Sequence, residues 1–596
     1  MKSIRSIAVT ATAIGLALSA PAYAQTAGNS TCLGEDVFFN PGHGEDIFVP
    51  PGYKVDPVAI GLNFPTNIAF RRTAGPSGFE IFVTEAGDSL PGRCNSEDSF
   101  ASTAAANPFL ADIRVLNSSG QTLRVIGKAA SVASKGDPKF LHAPTIGIAF
   151  EHEFLGGRMI VSDSRQGIRG ALGPKNSSRI LQVDPGTGAI TELVTGLPTG
   201  DHPTEQVTVH EGYIFWSQGS ATNSGVVGHD NGAKVGGGPD LNTQHEIPCQ
   251  DVILSGNNFD SGDGHKTGGY LPHGVAGTKG QVVKAFDGAT QPGMCTGAIL
   301  RTKLDGVHTV EPVSWGYRNP FGIRFAPKEH PLEGALFISE NGEDERGARP
   351  TNNAPDRLQM TRGGLDYHGW PDRFGFLDSS QAVFTPTGGP GDDNPAAVGK
   401  PVLPLLLVPP QQPVAPLAIE PADVAVVGHD FVPPAFAGGG NPGNRVKVGD
   451  SLVSREGDFG FSPSNGTPDI GHDIEKVHFG EDGQIKTDRF AFNCKAANQV
   501  AGPVPGSKIC SVPEDQAFAS HLRGINRPVD GKFGPDGAYY LVDFGAVRDQ
   551  GRSDPNTKWV HAEDAPLVQI PGTGVIWKIS KVGGMKIAKD DDRDRD

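Results

Sequence analysis

Pro144-Thr-Ile-Gly-Ile-Ala-Phe150 and, after a turn, Arg158-Met-Ile-Val-Ser-Asp-Ser164 spell a unit that recurs along this chain. A Pro or small-residue turn leads into a short strand ending near Phe. A second strand follows and closes on an acidic or polar residue before Gly. The same unit is read at Pro65-Thr-Asn-Ile-Ala-Phe70 with Glu80-Ile-Phe-Val-Thr-Glu-Ala-Gly87, and at Pro203-Thr-Glu-Gln-Val-Thr-Val209 with Tyr213-Ile-Phe-Trp-Ser-Gln-Gly-Ser220. It returns at Pro320-Phe-Gly-Ile-Arg-Phe325 with Ala335-Leu-Phe-Ile-Ser-Glu-Asn-Gly342, along 446–457, and at 528–537 with 538–545. Six two-strand units at irregular spacing predict an all-β fold, a six-bladed β-propeller with long inserted loops, in preference to a sandwich of unrelated hairpins.

Composition agrees with strands and turns. With 81 Gly and 49 Pro in 596 residues, long amphipathic helices are hard to place. The expected propeller runs over 53–582, with inserts near 219–293 and 386–444, the second containing the Pro-rich stretch 404–416. Residues 25–52 read as an N-terminal extension and 583–596 as an acidic, solvated tail.

The first 24 residues read as a cleavable secretory signal: Lys2 and Arg5, an apolar run from Ile7 to Leu18, then Ala22-Tyr23-Ala24. A periplasmic or secreted protein is expected, with no membrane span. The 51 basic residues less Lys2 and Arg5 leave 49 against 67 acidic ones, a mature net charge of −18. That balance argues against nucleic acid as a partner, which rewards clustered Lys and Arg. Six cysteines in an oxidising compartment favour disulfides, paired in sequence order as Cys32–Cys94, Cys249–Cys295 and Cys494–Cys510, although fifteen connectivities are open. No Cys-x-x-Cys-His occurs, so no c-type haem is attached here.

In a propeller the segments entering the inner strands line the central channel, so polar residues beside the repeated turns are where chemistry is sought. Four clusters fall there: 196–202 ending in Asp201-His202, 316–322 around Arg318-Asn319, Ser339 to Glu345 with its continuation at Asp356-Arg357 and 364–371, and 524–528 around Arg527. Each alone could be a turn or a solvated loop; together they mark equivalent edges of the repeat.

These residues resemble the soluble quinoprotein glucose dehydrogenases and related sorbosone dehydrogenases, from about Tyr53 to Ser580 with gaps. The resemblance rests on Leu-Val-Thr-Gly-Leu-Pro before Asp201-His202, on Leu300-Arg-Thr-Lys-Leu-Asp-Gly306 before Gly316-Tyr-Arg-Asn-Pro-Phe-Gly322, and on Gly364-Leu-Asp-Tyr-His-Gly-Trp-Pro371. It implies a propeller that holds pyrroloquinoline quinone (PQQ) and calcium, oxidises a sugar or related alcohol or aldehyde, and passes electrons to an external acceptor such as a quinone or a separate cytochrome. On the same resemblance His202 is the catalytic base, Asp201 tunes it, and Arg318 and Asn319 contact the cofactor, Arg318 also acting catalytically by stabilising negative charge on the quinone oxygen. Asn341 and Arg527 also face the cofactor, while Gly342 and Glu343 lie at the calcium. Departures go with it. Asn341 replaces a longer amide, Glu343 a proline and Asp356-Arg357 a paired acid motif; His142 stands in place of a substrate-contacting glutamine, and the cofactor lysine of the fifth blade has no clean match, Arg455 being the nearest basic residue. A metal-dependent sugar lactonase and a non-catalytic carbohydrate- or protein-binding propeller are the alternatives.

Overall fold

A computed structural model of the chain describes residues 26–27, 38–74, 78–89, 106–166, 174–228, 244–261, 264–388, 394–457, 470–480, 483–512, 523–549 and 567–583. The expected signal, Cys32, Cys94 and all but the first residue of the acidic tail lie outside them. The described residues form strands and turns, with no α-helix and none long and apolar enough to cross a membrane.

Six antiparallel sheets of four or five strands follow one another along the chain. The first holds Pro65–Arg72, Phe79–Glu85, Asp112–Asn117 and Thr122–Ile126; the second holds Thr145–His152, Gly156–Asp163, Ser178–Val183 and Ile190–Leu197. In the third, Thr204–His210, Tyr213–Gln218, Ala298–Lys303 and Glu311–Trp315 run antiparallel and Asp366–Tyr367 adds a parallel edge. The fourth is Asn319–Phe325, Leu336–Asn341, Arg357–Thr361 and Ala418–Ile419. The fifth runs Val426–Phe431, Ser451–Arg455, Asp473–Phe479 and Ile485–Asn493, edged by Ile47–Phe48. The sixth runs Pro528–Phe533, Tyr539–Asp543 and Gly574–Lys581, and its outer strand is Tyr53–Leu62 from the other end of the chain.

Packing explains why the second strands read as unbroken apolar runs rather than alternating ones. Successive side chains on a strand face opposite ways, so a sheet covered on both faces needs apolar residues at every position. Ile81 and Val83 enter the cluster shared with Tyr540, Val542 and Ile576 of the sixth sheet, whereas Phe82 between them enters the cluster shared with Ile148, Val161 and Leu181 of the second. Four further clusters fill the remaining junctions between consecutive sheets. The first strand of each sheet also touches the first strand of the next, and that of the sixth touches that of the first. The core is therefore six sheet-to-sheet seams arranged in a closed order.

Two expected boundaries look different in space. Ile47–Phe48, from the stretch expected as an extension, pairs with Phe492 and Asn493. Val426–Phe431, inside the stretch expected as an insert, is the first strand of the fifth sheet, and its His429-Asp430 pair hides it from an apolar-run reading. The disulfides Cys249–Cys295 and Cys494–Cys510 are present as expected.

Candidate active site

A cavity of about 160 Å³ opens where the six first strands begin. Thr66, Ile146, Pro203, Asn319, Ala425 and Val529, one from the start of each sheet, line it. The entry turns picked out in the sequence thus converge on one space.

Asp201 and His202 reach it on the turn before Thr204. Their backbone amides donate to Ala221 O at 2.9 Å and Ser220 O at 3.0 Å, so the loop after Gln218 holds the dyad in place. His202 Nδ1 lies 3.1 Å from Asp201 Oδ2. Arg346 grips the same carboxylate with two guanidinium bonds, Nη1 to Oδ1 at 2.9 Å and Nη2 to Oδ2 at 2.8 Å, and Arg318 Nη2 stands 3.5 Å from Oδ2. Burial alone would raise the Asp201 pKa, but Arg346 and then His202 hold it well below the usual carboxylate range. His202 is pushed down, first by burial and then by Arg318, against the pull of Asp201. With its proton on Nδ1, beside the fixed carboxylate at 3.1 Å but out of line for a hydrogen bond, a neutral imidazole leaves Nε2 as the proton acceptor. Asp201, too acidic and too fully engaged to take a proton, orients it.

Arg318 is nearly enclosed. Nη1 donates to Gly342 O, Nη2 to Asn223 Oδ1 at 3.0 Å and to Asp344 Oδ2 at 2.6 Å, while Nε is buried without a hydrogen-bond partner. Asp344 also accepts from Arg346 Nε at 2.8 Å, so two arginines and two aspartates form one alternating lattice beneath the cavity. Burial would raise Asp344, yet Arg318 and Arg346 bring it below its ordinary value.

Among the residues expected at the site, His202, Arg318, Asn319, Asn341, Gly342 and Glu343 line the cavity, with Asp201 directly behind. His142, Arg455 and Arg527 do not line it. His142 is buried in the second sheet's entry turn, its amide donating to Asp163 Oδ2 at 2.8 Å. Arg455 is enclosed by Asp473, Glu420 and Glu475, and Arg527 is fully buried with Nη1 donating to Gly457 O at 3.3 Å. Of the expected calcium ligands, Gly342 O accepts from Arg318 and Glu343 Oε2 from the Thr351 hydroxyl, whereas Glu343 Oε1 is buried without a hydrogen-bond partner, with Arg349 Nη1 3.7 Å away. No group of three His, Cys, Asp or Glu side chains suited to a metal occurs among the described residues.

Sequence reading passed over Arg346, Glu205 and Glu456 and placed Asp344 and Asp356 in the third cluster without a role; all five are on the cavity wall. Asp356 accepts from Gly342 N at 2.6 Å and Val426 N at 3.2 Å, and burial raises it to about 7. Burial likewise raises Glu456 to about 7. An acid within a strand buried over its first five residues, as Glu205 is in Thr204–His210, was the available signal.

No family model and no curated protein matches the chain. Solved structures similar to it share 10–14% identity with it. A calcium structure of a Trichoderma reesei Carbohydrate-Active Enzymes Family AA12 protein aligns over 91% of this chain and 99% of its own at 13% identity, with a TM-score of 0.45. A glucose dehydrogenase aligns over 88% and 99% at 12% identity and 0.39. The Pseudomonas aeruginosa periplasmic gluconolactonase aligns over 85% and 100% at 11% identity and 0.29.

Proposed function

We propose that this chain is an exported six-bladed propeller oxidoreductase that removes hydride and proton from a sugar, or a related alcohol or hydrated aldehyde, at His202. The observation that carries the reading is His202, 3.1 Å from Asp201 with its arginine lattice and lining a cavity built from all six sheets. Converting an alcohol carbon to a carbonyl breaks its O–H and C–H bonds, so the site must take the proton on a base and offer a hydride acceptor.

PQQ with calcium, the pair implied by the resemblance, is the proposed acceptor system. The cavity fits that pair better than the quinone alone. Arg318 and Arg346 offer guanidinium charge to a polycarboxylate, and Arg318 Nε is a buried donor without a partner. On the same wall stand Glu343, Asp344, Asp356, Asp423 and Glu456, which when ionised would repel a lone tricarboxylate. A divalent cation arriving with it, or protons on the raised acids, balances that charge. Arg318, Arg346, Asn319 and Asn341 would hold the quinone, and Glu343, whose Oε1 lacks a hydrogen-bond partner, would hold the cation. When bound, PQQ supplies the hydride acceptor.

The protein's own part is to place and deprotonate. Nε2 of His202 accepts the substrate hydroxyl proton, Asp201 keeps the ring turned toward it, and Arg346 keeps Asp201 from moving or protonating. The imidazolium formed during the step is stabilised by the anionic Asp201 at 3.1 Å.

The test is calorimetric titration of the mature chain with PQQ and calcium, followed by dye reduction with a panel of sugars. Binding with quinone-dependent turnover is expected, and absence of PQQ binding overturns the reading. His202→Ala should remove turnover, by about 10²-fold or more, while leaving cofactor affinity within a few-fold; equal loss of both would make the residue structural.

A further inference from the structure

A backbone carbonyl cannot be turned over, and one such group fixes the sense of a row of hydrogen bonds along the cavity wall. Asn341 Nδ2 donates to Val426 O at 2.6 Å. Asn341 therefore offers its Oδ1 to Asn319, whose Nδ2 donates to it at 2.7 Å. That leaves Asn319 Oδ1 facing Glu205, 2.8 Å from Oε1 and 2.7 Å from Oε2. Amide oxygen and carboxyl oxygen at such a distance need a proton between them.

Reversing the amides does not remove the need. Turning Asn319 alone lets it donate to an ionised Glu205, but brings its oxygen against Asn341 Oδ1 at 2.7 Å. If Asn341 is turned as well, the conflict moves to Val426 O at 2.6 Å. Every arrangement with an ionised Glu205 keeps one acceptor against another, and an unsatisfied buried acceptor costs about 1–3 kcal/mol. Only a protonated Glu205 satisfies the whole row, because the fixed carbonyl at one end dictates a donor at the other.

We propose that Glu205 is a positioning residue held as a neutral carboxylic acid, whose proton sets the orientation of Asn319 and Asn341 on the cavity wall. Its surroundings favour that state. Glu205 is fully enclosed, and burial raises its pKa well above the ordinary carboxyl value; Glu456 adds to the rise, and the Arg318 guanidinium opposes it. The neighbouring Asn319 belongs to the residues proposed to hold the cofactor, so the row sets both amides before any ligand arrives. That consequence rests on the function proposed above; the protonation does not.

Two measurements on the full mature chain test it without any turnover. Infrared difference spectra near pH 7 between the wild type and Glu205→Gln should show loss of one protonated-carboxyl band in the variant. Glutamine can donate to Asn319 Oδ1 and so keeps the row. No difference in that region overturns the proposal. Should the variant not fold, neutron diffraction of the wild type decides: a deuteron between Glu205 and Asn319 Oδ1 is expected, and Asn319 deuterons turned toward Glu205 overturn it. A chain that fails to bind PQQ yet shows the band refutes the cofactor assignment and leaves Glu205 as described.

Discussion

At the scale of single residues, the site depends on Arg346, whose fork holds Asp201 on both oxygens. Arg346→Ala leaves Asp201 buried against His202 with one distant guanidinium, and breaking a buried pair costs about 3–5 kcal/mol. The variant should melt markedly lower and lose about 10²-fold in kcat/KM, as misplaced catalytic groups do. It should also shift the pH profile in a set direction. A base works deprotonated, so kcat/KM falls as pH drops through the His202 pKa, which burial and Arg318 hold below the ordinary histidine value of about 6.5. Arg346 also depresses His202, so removing it moves the acid limb to higher pH. Arg346→Lys, a single charge without the fork, should restore the limb more than the rate. A limb unchanged in Arg346→Ala would mean that another group governs it. Much of this site could be read in the sequence, because Asp201-His202, Arg318-Asn319 and Asn341 sit beside repeated turns that the fold gathers. Arg346 could not, since its partner lies far back along the chain and nothing in the acidic run 343–345 announces an ion pair. His142, Arg455 and Arg527 fail to line the cavity for the converse reason: adjacency to a motif does not say which way a side chain turns.

Among the structural elements, the loop after Gln218 does for the dyad's backbone what Arg346 does for its carboxylate. Ser220 and Ala221 carbonyls hold the His202 and Asp201 amides, and Ser220 N donates to Arg318 O at 2.9 Å. The loop is tied down in turn by Glu246, which accepts from Ala221 N at 3.2 Å, Thr222 N at 2.7 Å, the Thr222 hydroxyl at 2.6 Å and the Thr296 hydroxyl at 2.5 Å. Burial raises that carboxyl to about 7. Glu246→Ala strands these donors, at about 1–3 kcal/mol for each left buried. It should lower kcat through displacement of Asp201 and His202, although Glu246 does not line the cavity; kcat unchanged with reduced melting temperature would confine the residue to stability. Nearby, Cys249–Cys295 closes a sequence separation of 46, worth about 4 kcal/mol in the chain-entropy model, against about 3 kcal/mol for the separation of 16 closed by Cys494–Cys510. Cys249→Ser with Cys295→Ser should therefore lower the melting temperature more than the corresponding change at Cys494 and Cys510. The repeat revealed first and second strands in five of the six sheets because both faces of each are covered, and missed Val426–Phe431 in the fifth; it said nothing of Glu246, an isolated acid inside a stretch expected only as an insert.

Across the whole molecule, order depends on closing the ring of sheets. Five sheets draw their main strands from consecutive sequence, but the sixth takes Tyr53–Leu62 from the opposite end, paired from Tyr53 with Lys581 to Leu62 with Gly574. Tyr53, Val55 and Leu62 are buried there. At about 1.5–3 kcal/mol for each buried large apolar side chain, the strand contributes an amount comparable with the 5–15 kcal/mol that stabilises a typical domain. Its loss would also bare the backbone of Gly574–Lys581 as a new sheet edge, open to pairing with other copies. A chain beginning at residue 63 should therefore melt well below the full one and aggregate, as read by calorimetry and gel filtration. Because Tyr53 sits opposite Lys581, residues 53–62 can be joined behind residue 583 through a short turn, making the sixth sheet continuous in sequence. That permuted chain should recover most of the lost melting temperature, apart from the contribution of Ile47–Phe48 to the fifth sheet. Equal stability of the truncated and full chains would show that the ring is held by its seams alone; failure of the permutant to recover would place the missing stability at Ile47–Phe48 and the segment around it.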